Sequence, residues 1–148
     1  MLIYVAGGWL EKDTIVVPLL RRLRAEGIEV SYDWTGDGPS AVTVEEHIKA
    51  EASLSQDERK MFAFRDYEGV KNADLVWLVV PGYEGSTGSW TELGLALAFG
   101  KPVIVSGAGH KKNIFTTLSQ QICETHEEGF QKVLRVKELI KDLQSYAF

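Results

Sequence analysis

An unbroken apolar run, Leu75-Val76-Trp77-Leu78-Val79-Val80, is the strongest hydrophobic signal in the chain. A short run with no polar member reads as a strand covered on both faces. Leu2 to Ala6 and Val103-Ile104-Val105 read as two more strands. Ile28 to Trp34 alternates instead, with Ile28, Val30 and Tyr32 set against Glu29, Ser31 and Asp33, the period of a strand. Gln121 to Thr125 reads as a short fifth strand. Helical patterns separate these runs. The first helix starts between Asp13, a plausible N-cap, and Pro18, because proline fits only the first turn, and Gly27 ends it. Ser55-Gln56-Asp57-Glu58 has the form of a capping box and opens a helix to about Asn72. An apolar helix runs from about Ser89 to Phe99. A closing helix runs from Glu127 to about Gln144, with Phe130, Val133, Leu134, Lys137 and Ile140 as its inner stripe. Gly36 to Ser40 is a break. Ala41 to Leu54 is polar and weakly helical, an excursion over the site in the manner of a lid. His110 to Gln120 reads as irregular or briefly helical.

Strands alternating with helices imply a parallel sheet with right-handed crossovers. The pattern predicts an α/β fold over residues 1–148: a single-domain, flavodoxin-like, doubly wound five-stranded parallel sheet of order 2-1-3-4-5. Ligands in such sheets sit beyond the carboxyl ends of the strands, where strands one and three diverge. That rule gathers the turn Gly7-Gly8-Trp9 and the loop Gly82 to Gly88, with Gly107 to Gly109 nearby. The glycine turn is expected to use positive φ and close backbone approach.

Composition narrows the function. The net charge is −5 over 148 residues, so there is no basic surplus for a nucleic-acid polymer. A small anionic ligand remains compatible, since backbone amides can hold one. The one cysteine, Cys123, forms no intrachain disulfide, and no Cys/His group has metal-ligand spacing. The glycines match neither a P-loop nor a dinucleotide fingerprint, so no cofactor and no metal are expected. No apolar run is long enough for a bilayer and the chain opens on a strand, so no membrane partner and a cytoplasmic location are expected.

Candidate chemistry gathers at Ser89-Trp90-Thr91-Glu92. Ser-x-x-Glu fits a capping box, in which Ser89 caps the helix and Glu92 reaches back to its amide. Alternatively, Glu92 in the first turn is a nucleophile held ionised by the helix dipole. Asp66 lies at helical spacing from Phe62, Ala63, Gly69 and Val70, so it faces inward and needs a partner or a role. Ser86 and Thr87, with Gly85 and Gly88, offer hydrogen bonds to a sugar or phosphate. Trp9 either packs or stacks on a planar base. His47 and His126 read as surface residues, and His110 as a cleft-side candidate.

These positions resemble the nucleoside 2-deoxyribosyltransferase family, whose superfamily includes the 2′-deoxynucleoside 5′-phosphate N-hydrolases. Ile3 to Trp9 is similar to the family's opening strand and glycine turn. Asp66 precedes Ala73-Asp74-Leu75-Val76 at the family's spacing. Ser86 to Gly94, followed by Gly100-Lys101-Pro102, is similar to its nucleophile segment. The resemblance implies double displacement in nucleotide salvage: Glu92 attacks the anomeric carbon, and Asp66 orients the substrate or handles the proton of the leaving base. It implies substrate binding by Tyr4, Gly7, Gly8 and Trp9, and by Ser86, Gly88 and Ser89 across the pocket. Ser86 matches the phosphate-preferring hydrolases, whereas Gly7-Gly8-Trp9 is closer to the transferases of free nucleosides. The partners implied are a small-molecule nucleoside or nucleotide and a second copy of the chain, as a homodimer or higher homo-oligomer, with Asn113 or Thr116 reaching a neighbour's site. A non-catalytic nucleotide-binding module and a glycohydrolase of NAD-type nucleotides are the rival readings.

Overall fold

In the computed structural model, which describes residues 1–146, the central apolar run becomes strand β3 (Leu75–Val79), every residue of it buried. Ala147 and Phe148, which the single-domain reading included, lie outside the described residues. β3 lies between β1 (Leu2–Ala6) and β4 (Val103–Ser106), with β2 (Glu29–Val30) and β5 (Gln121–Cys123) at the edges. All pairings are parallel and the order is β2-β1-β3-β4-β5, as the pattern predicts. Ile3 pairs with Leu75 and Val76 with Val103, which fixes which side chains share a face. Trp77 packs toward Phe130, while Tyr4 packs toward Gly69 on the opposite face.

Five α-helices complete the layers: α1 (Val17–Ala25), α2 (Val44–Ser53), α3 (Gln56–Asn72), α4 (Thr87–Ala98) and α5 (His126–Ser145). α3 and α4 cover one face of the sheet and α5 the other, where Arg22 of α1 lies over the Phe130 ring at 3.9 Å. Gly69 allows the close approach of α3, because a Cβ there would stand 2.8 Å from both Tyr32 Cβ and Tyr4 Cε2. Asp66, about one turn earlier, is thereby carried to the end of Tyr4. Among the described residues no helix is long and apolar enough to cross a membrane.

Several boundaries differ from the pattern. Helical backbone begins before α1, as a π-helical turn at Lys12–Val16, and Asp13 caps nothing. β2 keeps only Glu29 and Val30 of the expected Ile28–Trp34, because the Trp34 indole donates to Val5 O at 2.7 Å and pulls the chain into a 3-10 turn. α2 is better formed than its polar sequence suggests: Thr43 and Glu46 close a capping box, although no residue of α2 is buried. The Ser55–Glu58 box forms as read. The stretch read as irregular or briefly helical from His110 to Gln120 is largely covered by two 3-10 segments, Ala108–Lys112, which starts before it, and Ile114–Leu118.

Candidate functional site

α4 removes the capping reading of Glu92, and with it the first-turn position from which the helix dipole was expected to hold the carboxylate ionised. It begins at Thr87, two residues before the expected start, so Glu92 stands in the second turn and Ser89 is not an N-cap. The Ser89–Glu92 capping box does not form. Ser89 Oγ instead donates to Gly7 O at 2.8 Å, tying α4 to the turn after β1. Ser86 is the N-cap by position, yet its side chain caps no helix amide. Its Oγ lies 2.9 Å from Ser89 Oγ. Ser89 has spent its one proton on Gly7 O, so Ser86 donates to Ser89 and presents lone pairs elsewhere.

Freed from capping, Glu92 turns inward. It is 8% exposed, and Tyr4 Oη lies 2.8 Å from its Oε1 and 3.0 Å from Asp66 Oδ1. Burial pushes the Glu92 carboxyl well up, the Asp66 charge adds to this, and the Tyr4 hydrogen bond opposes it. Asp66 is pushed up to about 6 by burial, against the Tyr4 hydrogen bond and with help from the Asp37 charge. Burial and both neighbouring acids push the Tyr4 phenol up, so it stays protonated.

A pocket of about 160 Å³ opens over this cluster. It brings together Gly7, Trp9, Asp66, Ser86, Gly88, Ser89 and Glu92 from the sequence-derived site. Two expected members stand outside its lining. Tyr4 is fully buried behind the acids and reaches the pocket only through them. Gly8 faces away: a Cβ there would meet Tyr83 Cε1 at 2.7 Å, so the residue serves packing rather than binding. Neither Gly7 nor Gly8 has positive φ, and close approach alone accounts for the pair.

Trp9 is already engaged on the pocket wall. Its ring lies 5.9 Å from that of Trp34 and 6.0 Å from that of His47, the latter nearly parallel. His47 therefore belongs to the pocket and not to the open surface. His126 is half-buried, with Nδ1 2.9 Å from Ser106 Oγ. His110 is buried, lies 3.0 Å from Glu124 and lines no part of the pocket, and neither does the Gly107–Gly109 loop. Trp34, Asp37, Glu51, Leu54 and Phe62 also line the pocket and were not singled out from sequence. The break at Gly36 to Ser40 and the lid-like stretch were the only signals pointing to that wall.

The sequence matches the nucleoside 2-deoxyribosyltransferase family over residues 3–132. No curated protein matches the sequence. Among solved structures, a conserved protein from Enterococcus faecalis V583 superposes with a TM-score of 0.65 at 19% identity, covering 91% of this chain and 98% of its own. The CMP N-glycosidase BcmB of Clostridium botulinum superposes with a TM-score of 0.53 at 22% identity, covering 90% of this chain and 97% of its own. At these identities the structural likeness is one of fold. The family match spans most of the chain, and with it this protein belongs to the nucleoside 2-deoxyribosyltransferase family, enzymes that act on N-glycosidic bonds.

Proposed function

We propose that this chain cleaves or transfers the N-glycosidic bond of a nucleoside or its 5′-monophosphate by double displacement at Glu92. The observation that carries the reading is the Tyr4 hydroxyl, set within hydrogen-bond reach of both Glu92 and Asp66. The phenol has one proton, so both contacts are hydrogen bonds only when one of the two acids is protonated. In this scheme the more deeply buried acid, Glu92, holds that proton at rest, and Tyr4 donates to Asp66. Passing the Glu92 proton to Tyr4 Oη, and the Tyr4 proton to Asp66, leaves an ionised nucleophile and a loaded acid in one step. Glu92 then bonds to C1′ as the C1′–N bond breaks, and the departing base takes the Asp66 proton. Water or an acceptor base attacks C1′ as it gives its proton to Asp66, which breaks the ester, restores the Glu92 carboxylate and returns one shared proton to the two acids. The scheme uses side chains alone.

The free nucleoside is favoured by the pocket's charge: Asp37, Glu51, Asp66 and Glu92 line it, and no described Lys or Arg does. A 5′-phosphate would meet those carboxylates with no described cation in the lining, the Arg65 guanidinium standing 3.7 Å from Asp37 outside it. Ser86, Gly88 and Ser89 hold the 5′ end of the sugar in this arrangement. Hydrolysis of a 5′-monophosphate is the second reading, supported by the N-terminus of α4, which no side chain caps. The enzyme works as a homodimer through the outer side of α4.

The test is base release, followed chromatographically, from nucleosides and 5′-monophosphates, with and without free acceptor base. Wild type is expected to turn over nucleosides, and Glu92→Ala to lose about 10³-fold or more. Full activity in Glu92→Ala on a confirmed substrate removes the nucleophile. Ligand binding without turnover in wild type leaves a binding module instead.

A further inference from the structure

Asp37 is a charged wall residue that the scheme above does not use. It lines the pocket with Trp9, Trp34 and His47, and its side chain is 23% exposed. Among the described residues its carboxylate accepts no hydrogen bond. Its ionic partner, Arg65 Nη1, is 3.7 Å away, beyond hydrogen-bond length. A half-buried carboxylate on a pocket wall, with no described protein donor on it, has its acceptor sites free for a ligand. Asp37 and Asp66 line the same pocket, and the Asp37 charge is felt at Asp66. Glu51, a second acceptor on this wall, stands 3.9 Å from His47 Nε2. The wall therefore offers acceptors, and no described Lys or Arg lines it as a donor.

Resting on the proposed N-glycoside chemistry, we propose that Asp37 reads the nucleobase and selects one that presents a ring N–H beside an amino group, the guanine type. Two carboxylate oxygens match two parallel N–H donors, the same geometry by which a carboxylate takes a guanidinium fork. Guanine offers this pair at N1 and its 2-amino group. Hypoxanthine keeps only the ring N–H. Adenine and cytosine place an acceptor nitrogen beside the amino group, which turns a lone pair toward the carboxylate. A site built to hydrogen-bond a group rejects analogues that lack it, because its own polar atoms are then left unpaired.

The experiment measures kcat/KM for guanine and hypoxanthine nucleosides of the same sugar, in wild type and in Asp37→Asn. Inhibition by free guanine against free hypoxanthine gives the same comparison without turnover. Wild type is expected to prefer guanine by about tenfold to a hundredfold, the worth of the one charge-assisted hydrogen bond that hypoxanthine cannot make. In Asp37→Asn that ratio collapses toward unity in both measurements, because the amide turns its own donor against one of the base's. Equal use of the two bases by wild type overturns the proposal, and so does a ratio that survives in Asp37→Asn. The glycosyl fluoride of the same sugar, which has no base, separates this inference from its parent. Fluoride release that depends on Glu92, without a base preference, sinks the Asp37 assignment and leaves the nucleophile standing. Absence of Glu92-dependent release from both fluoride and nucleosides removes both.

Discussion

Tyr4 holds two carboxylates together with one proton, and that shortage has a kinetic signature. The cluster works with one shared proton on its two acids. A second proton neutralises the nucleophile, and loss of the last one removes the acid, so kcat should follow a bell. Both acids are raised, Asp66 to about 6, so the acidic limb should lie near 6 and not near the ordinary carboxylate value. Activity falls as pH drops through that limb and falls again well above it. Tyr4→Phe removes the hydrogen bond that opposes the rise of both carboxyls, so the acidic limb should move to higher pH. It also breaks the proton path, and kcat should drop by about 10²–10⁴, the usual worth of general acid–base assistance. A pH–rate profile of the variant, with its melting temperature as a check on folding, decides the matter. An unmoved limb would leave Tyr4 a packing residue.

At the scale of elements, the site depends on how close α3 lies to β1 and on where α4 starts. Gly69→Ala makes the first dependence testable. Alanine favours a helix interior by about 1 kcal/mol, but the new methyl would stand 2.8 Å from the Tyr4 ring and from Tyr32 Cβ. Crowding of this kind typically costs about 1–3 kcal/mol, so a net loss of stability is expected by denaturant titration. kcat should fall with it, because α3 carries Asp66. A variant more stable than wild type would mean that α3 yields freely. The strand order was legible in the sequence because short apolar runs separated by helical patterns are local signals, and the inward face of Asp66 because helical spacing is one too. The true start of α4 was not. Ser-x-x-Glu fits a cap on spacing alone, and what displaces it is the Ser89 bond to Gly7 O, a contact across 82 residues. The shortened β2 has the same kind of cause in the Trp34 bond to Val5 O. The base-side wall was hidden for that reason too: Asp37 sits in a stretch read only as a break, and His47 on a helix with no buried residue.

The whole molecule presents one more feature that sequence periodicity leaves undetermined, the apolar surface beside α4. Ser89, Glu92, Leu93 and Ala96 turn inward, while Trp90, Gly94 and Leu97 line an outer groove of about 430 Å³ with Asn113, Phe115 and Leu118. Ile114 is 78% exposed, Phe115 55% and Leu118 59%, an apolar cluster that the proposed dimer would cover. The groove and the nucleophile occupy two sides of the same helix, so a second copy seated here would also steady Glu92. Sedimentation equilibrium should therefore find a dimer at working concentration. Phe115→Glu, which places a charge in that contact, should weaken association at least about tenfold, or ~1.4 kcal/mol. If the dimer is the working unit, specific activity of the variant should rise with protein concentration as the remaining dimer forms, while its melting temperature at high concentration stays near wild type. A wild-type monomer with concentration-independent activity would show that each site works alone and that the apolar face serves another purpose.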